Sequence, residues 1–233
     1  MRRYGYRSNN DGTYMYTEET TNNSAAIGFN AAHDALNIAV SSSPGCIPTT
    51  PLYVSMNPTL GTYTFNSSSG VTFTIGGAGN ISAPLHPSFM ATVNSLDSNV
   101  TGNGAVYQLG TNVAFTEIFD QGGDFNTNGI FTAPITGNYF FTAFVLCGGL
   151  AVSSTSLTLG IVTTARPYVD IINPSAFFID LAVATVKLST CAPMTAGDTA
   201  HVALTISGLA GNTADVVGSN SRATVLFGGY LLL

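Results

Sequence analysis

The sequence predicts an all-β chain whose larger part is a two-sheet antiparallel sandwich of jelly-roll type. Short apolar segments, separated by Gly, Asn, Pro and Ser, fill the chain from Ser88 onward, and no helical stretch of useful length interrupts them. Several segments, FFIDLAVATVKL and the closing LFGGYLLL above all, are apolar on both strand faces. One sandwich needs only its inner faces apolar, so these strands call for cover on the outside, which other subunits supply. With 233 residues and 45% hydrophobic composition, the chain can bury a full core in one domain of about 150 residues and carry an N-terminal appendage.

Taken in order, residues 1–50 read as an N-terminal arm and linker. Within them SAAIGFNAAHDALNIAV, Ser24 to Val40, repeats Ala26, Phe29, Ala32, His33, Leu36 and Val40 at spacings near three and four. Gly28 and the asparagines oppose a helix, which leaves a short helix or an irregular surface strap. SSSPGCIPTTP, Ser41 to Pro51, is an extended connector. Residues 51–87 form a small β-hairpin or attachment segment: Tyr63 and Phe65, then Val71, Phe73 and Ile75, alternate around NSSSG. GGAG, with no Lys-Ser or Lys-Thr after it, is a turn rather than a phosphate loop.

Residues 88–233 form the sandwich. Strands are expected at Phe89–Asn94, Gly104–Leu109, Val113–Phe119, Gly129–Ala133, Asn138–Cys147, Ser156–Val162, Ala176–Leu188, Thr199–Ser207 and Arg222–Leu232. FTAPITGNYFF is the most informative stretch. Phe131, Ile135, Tyr139 and Phe141 share odd-numbered positions, but Pro134 and Gly137 interrupt the strand that would align them. A strand ending near Phe131, a turn over Pro134 to Gly137 and a new strand from about Asn138 is the reading that satisfies both residues.

Blocks along this region resemble the globular head domain of complement C1q-like proteins and, more distantly, tumour-necrosis-factor-like cytokines. FMATVN resembles the opening aromatic strand, and Phe115 begins a block in which Gln121 stands at the position usually held by Asn or Asp, with Phe125 as its aromatic. Gly129, Phe131, Pro134, Gly137, Tyr139 and Phe141 match the family's Gly-x-Phe-x-x-Pro-x-x-Gly-x-Tyr-x-Phe. Gly197 and Asp198 precede a late strand, and Phe227, Gly229, Tyr230 and Leu231 match the closing block. The texture is more similar to members encoded by bacteriophages, other viruses and bacteria. The resemblance implies a jelly roll that forms a homotrimer, with Phe131, Tyr139, Phe141, Phe227, Tyr230 and Leu232 in the core or at the subunit interface.

Charge and motifs narrow the function classes. Six Lys plus Arg stand against twelve Asp plus Glu, only 8% of residues are charged, and Arg2, Arg3 and Arg7 take half of the cations. No basic cluster faces phosphates, so nucleic acid is not an expected partner. The start lacks the apolar core of a standard signal peptide, and no apolar run reaches the length of a membrane span. Cys46, Cys147 and Cys191 cannot all pair within one chain; Cys147 closes the apolar run FFTAFVLC as a buried thiol or bridges Cys191. Asn22, Asn66, Asn80 and Asn99 stand in glycan-acceptor sequons, which chance alone supplies in so Asn-, Ser- and Thr-rich a chain.

No HExxH or GxSxG is present, and His33, His86 and His201 fall in regions of different expected role, so no enzyme activity is expected. DQGGDFNTN offers a polar loop or an oxygen-rich calcium site from Asp120, Asp124, Asn126 and Asn128. Binding is expected on loops held by the rigid sheets: Asp124, Asn126 and Asn128 in that loop, and Arg166, Tyr168 and Asp170 in TTARPYVDIINP. Arg166 and Tyr168 suit a sugar or an acidic partner, or Arg166 pairs with Asp170 or Asp180 of a neighbouring subunit. The expected function is a trimeric fibre or tail head on a virion surface or extracellular appendage, built into a larger assembly and contacting a host-surface glycan or protein. A capsid cement or decoration protein, a secreted C1q-like adhesive protein and a polysaccharide-degrading enzyme are the alternatives.

Overall fold

The computed structural model describes residues 2–7, 14–19, 24–30, 35–41, 52–57, 62–67, 70–176 and 182–232, with side chains described for 62–65, 73–175 and 183–232. Two compact units divide the chain, Met1–Leu85 and His86–Leu233.

The first unit is an antiparallel meander in which each strand pairs with the next: β1 (Arg2–Arg7), β2 (Tyr14–Glu19), β3 (Ser24–Asn30), β4 (Ala35–Ser41), β5 (Leu52–Asn57), β6 (Thr62–Ser67), β7 (Gly70–Ile75) and β8 (Ile81–Ser82). The stretch read as a short helix or strap is therefore corrected to β3 and β4, in register Ile27↔Ile38 and Phe29↔Leu36. Its period of two, Ala25, Ile27 and Phe29 against Leu36, Ile38 and Val40, outweighs a three-to-four spacing that Gly28 and the β-branched residues weaken. The expected hairpin forms as β6 and β7, with a bulge between Phe65 and Asn66. The Gly76–Asn80 turn, closed by Gly76 N donating to the Asn80 carbonyl at 2.8 Å, leads to β8. His33, Cys46 and the connector 42–51 lie outside the described residues.

The second unit is an antiparallel two-sheet sandwich, the predicted architecture. Its strands are β9 (Ser88–Val93), β10 (Leu96–Thr101), β11 (Val106–Gln108), β12 (Phe115–Gln121), β13 (Ile130–Thr132), β14 (Gly137–Leu150), β15 (Ser156–Thr163), β16 (Pro167–Ile172), β17 (Ala182–Met194), β18 (Thr199–Ser207), β19 (Ala214–Val217) and β20 (Val225–Leu231). In the first sheet β14 pairs β17 along one edge, and β20 and then β19 along the other. Beyond β20 come β9 and β12; beyond β19 comes β10. The second sheet runs β16–β15–β18, with β11 and β13 sharing the far edge of β18. The first and last strands of the unit are thus neighbours, Ser88 facing Tyr230.

Period two decides what is buried. Along β14, Tyr139, Phe141, Ala143, Val145 and Cys147 point between the sheets and are buried, while the residues between them face out. Phe89 stacks on Phe125 and Phe131 at 4.6 and 4.9 Å and meets Phe227 edge-on at 5.0 Å. Leu159 and Leu204 close the core from the second sheet. Ile135 does not join this set: it is exposed, because the turn over Pro134 breaks the strand phase, and its carbonyl accepts a 2.7 Å bond from the Tyr139 hydroxyl. Two glycines of the motif blocks are sterically required. Gly129 sits at φ +80°, where a Cβ would lie 2.6 Å from the Leu109 carbonyl oxygen, and at Gly229 it would lie 2.5 Å from the Phe141 ring.

Three strands were not anticipated. β10 carries the polar run LDSNVT with Asn99 at φ 60°, β16 opens on Pro167, and β19 is only ADVV. Each is an edge or a short element whose hydropathy carries little period. The strand expected from Ala176 begins instead at Ala182, after a 3-10 turn at Pro174–Ala176. β10 and β11 are joined across the sandwich by a buried polar group: the Tyr107 hydroxyl donates to Asp97 Oδ2 and Asn112 Nδ2 to Asp97 Oδ1 at 3.3 Å. Burial, then the bond to Asp97, raises the Tyr107 phenol above its ordinary range. Cys147 and Cys191 are both free. They sit on opposite faces of the first sheet, Cys147 beside Ala184 and Cys191 beside Phe140.

Candidate functional site

Two side chains of the loop between β12 and β13, Asp120 and Asn126, close its turns. Asp120 Oδ1 and Oδ2 accept from the backbone N–H groups of Asp124 and Phe125 at 3.2 and 3.0 Å, and Asn126 Oδ1 accepts from those of Asn128 and Ile130 at 3.0 and 3.2 Å. These are local turn-closing bonds of the kind Asp and Asn side chains make. Partial burial, with Asp120 nearby, raises the Asp124 carboxyl above its ordinary value. Among the described residues no group of three or more His, Cys, Asp or Glu is placed to hold a metal ion. None of the described helices is long and apolar enough to cross a membrane.

Arg166, Tyr168 and Asp170 do not share a loop. Thr163 to Arg166 forms the tight β15–β16 turn, closed by Thr163 Oγ1 donating to the Arg166 carbonyl at 2.9 Å, and Tyr168 and Asp170 belong to β16. Tyr168 packs partly buried against the core, while Asp170 and Arg166 are exposed. No ion pair forms among the described residues, so the Arg166 guanidinium is unpaired within them; Asp180 lies outside them. The β12–β13 loop and the β15–β16 turn nevertheless meet the same end of the second sheet. Thr132 N donates to the Asp124 carbonyl at 2.8 Å, Thr132 pairs with Thr199, and Thr164 N donates to the Thr199 carbonyl at 3.0 Å.

The residues expected in the core or at a subunit interface separate cleanly. Phe131, Tyr139, Phe141 and Phe227 are fully buried within the single chain, whereas Tyr230 and Leu232 are exposed. Tyr230 belongs to an apolar patch on the outside of the first sheet. Phe140 and Tyr230 pair with ring centroids 5.4 Å apart, Phe144 faces Leu226, and Met90 faces Phe119, which is 45% exposed. Cys191 and Lys187 stand on its β17 edge. The alternation of β14 and β20 carries this signal in the sequence, since the residues between the inward aromatics are themselves aromatic or aliphatic.

The outside of the second sheet has a different texture, set out in rows by the register. Thr132, Thr199 and Thr164 form a hydroxyl row at the end near Arg166. In the next row His201 lies between Ile130 and Val162. Ala203 and Gly160 follow, with Val169 beside them. His201 is half-buried, and burial lowers its pKa, favouring the uncharged imidazole. Asp198 is not its partner: the Asp198 carboxylate precedes β18 and accepts from Thr195 N at 2.7 Å.

No protein-family model matches the chain, and no curated protein sequence does. Among solved structures the chain is similar to the globular domain of zebrafish complement 1qA protein, at 17% identity and TM-score 0.43, over 64% of this chain and 98% of that one. It is also similar to murine APRIL in the crystal structure at pH 5.0, at 14% identity and TM-score 0.42, over 63% of this chain and 99% of that one. Murine APRIL at pH 8.5 gives 14% identity and TM-score 0.42 over the same shares.

Proposed function

We propose that the chain is a non-enzymatic structural and binding module, a homotrimeric head on a virion fibre, tail or extracellular appendage that contacts a host-surface glycan or protein. The observation that carries this reading is the aromatic patch outside the first sheet. Phe119 and Tyr230 are each 45% exposed, and Met90, Phe140, Phe144 and Leu226 are only partly covered, although the core beneath them is already complete. Large aromatic and aliphatic side chains clustered on one solvated face of a sheet are what an association face presents. Each Phe or Leu fully buried there contributes roughly 1.5 to 3 kcal/mol, and a closed threefold ring uses the patch three times. The family-like blocks of the sequence and its scarcity of charge support the same reading.

Mass photometry and sedimentation of the full chain test it. A species near three times the 24.1 kDa chain mass is expected at micromolar concentration. A well-behaved single-copy species at that concentration sinks the trimer and the head reading with it.

A further inference from the structure

We infer that one face of the first unit's sheet is an interface between copies of this chain, closed when the head brings three copies together. This rests on the reading of the chain as a homotrimer and adds a second assembly surface, made by a different unit.

The register sorts the meander into rows. Ile27, Ile38, Val54, Phe65 and Phe73 occupy one row across β3 to β7. Two residues further along the strands, Phe29, Leu36, Met56, Tyr63, Ile75 and Ile81 occupy another. Successive residues of a strand alternate, so both rows belong to one face. The row between them belongs to the other face and reads Gly28, Asn37, Ser55, Thr64, Thr74 and Ser82. One face is therefore aliphatic and aromatic without a charge in either row, and the other is small and polar along its middle.

An antiparallel sheet with this pattern buries its apolar face against a second layer. The described residues of the unit hold no such layer: the eight strands form one sheet in which each pairs only with its chain neighbours. Where side chains are described the face is open, with Tyr63 at 43% and Ile81 at 67% exposure. Phe65 and Phe73 meet within the sheet, ring centroids 5.5 Å apart.

Area and chemistry fit another copy. Strands β3 to β7, each about 20 Å long and spaced about 4.8 Å apart, give a planar footprint of about 500 Å² per copy. Two copies together reach about 1,000 Å² before the relief of the side chains is counted, the size at which specific interfaces begin. Rows without charge offer a foreign partner little to select, whereas copies bring the same rows in equal number. Edge pairing is the poorer route to assembly: β8 has only two residues, and β1 places Arg2 and Arg3 opposite Glu19 and Glu18. A single-layer sheet is marginal by itself, so the head supplies the effective concentration at which the three faces close.

The test uses the full chain at micromolar concentration, with crosslinking, hydrogen exchange and mass read on the same samples. In a Cys46→Ser, Cys191→Ser background, a short bis-maleimide is expected to join copies carrying Tyr63→Cys into covalent dimers. Thr64→Cys, its neighbour on the other face, should be linked at least fivefold less. Ile38→Asp is expected to abolish the Tyr63→Cys dimers and to speed amide exchange across β3 to β7 at least tenfold, with trimer mass kept by the head; Asn37→Asp changes neither. Phe140→Asp, which releases single copies, is expected to speed the same amides as much. Trimer mass with no Tyr63→Cys dimers, or with as many from Thr64→Cys, overturns the interface and leaves the head reading standing. Slow exchange in Phe140→Asp single copies, showing that the chain covers its own face, also overturns it. Loss of the Tyr63→Cys dimers on adding phosphatidylcholine vesicles does the same and assigns the face to lipid. A fall to one-chain mass on Ile38→Asp keeps the interface and takes the trimer from the head. A natural chain of single-copy mass overturns both.

Discussion

The two outer faces of the sandwich are built from the same hydrogen-bonded strands and cover the same core, yet their chemistry differs. Outside the first sheet, Phe119, Phe140, Phe144 and Tyr230 stand where a solvated face would carry polar residues. Outside the second, threonines and His201 share the face with the branched aliphatics Val106, Val169 and Ile171, and no aromatic ring stands among them. The difference teaches that one alternating pattern of inward residues can carry two unlike outer faces, one of large rings and one of hydroxyls and branched aliphatics. Large rings gain most from being removed from water, whereas hydroxyls gain only when each finds a partner.

The comparison can be broken most forcefully from beneath. Phe131→Ala, in the shared core, costs about 3–5 kcal/mol and abolishes both faces together, seen as a lower urea midpoint and loss of assembly. Phe140→Asp separates them. It is expected to reduce the mass to that of one chain at micromolar concentration with β circular dichroism retained; an unchanged mass would remove Phe140 from the association face.

A smaller effect tests the tie between the sheets. Asp97→Ala leaves the Tyr107 hydroxyl without its acceptor and costs about 1–3 kcal/mol. Because folding raises the Tyr107 phenol pKa, its contribution is fully present below the unfolded value of about 10 and is lost as pH rises from there toward the folded value. Denaturant midpoints should therefore fall above pH 10 in the natural chain and fall less in Tyr107→Phe. The smallest effect concerns the thiols. In a Cys46→Ser background a maleimide should label Cys191 readily and Cys147 only on unfolding, since burial pushes the Cys147 thiol up to about 12.

The strongly patterned parts of this fold were legible. The strand at Thr199–Ser207 has its predicted bounds, and the turn over Pro134 was required by residues that leave a strand no other course. β10, β16 and β19 were not, because edges and short strands are held by their neighbours' register more than by their own period. The same limit applies to Arg166, Tyr168 and Asp170. The sequence placed them in one loop, but Pro167 opens an edge strand that carries the last two away from the turn. The hydroxyl row was invisible for a further reason. Thr132, Thr164 and Thr199 come from three separate elements, and only the sheet brings them together.

The pairing of Ser88 with Tyr230 has a consequence for how the molecule is made. β20 lies between β14 and β9, so a nascent chain that has already produced β9 and β14 still lacks the strand that joins them. Contacts so distant in sequence form slowly, and here they wait for the last strand to leave the ribosome. Until then Phe89 and Phe141 have no Phe227 to close over them, and Phe140 has no Tyr230 beside it. A chain broken off before Val225 would present uncovered aromatic surface to chaperones and proteases.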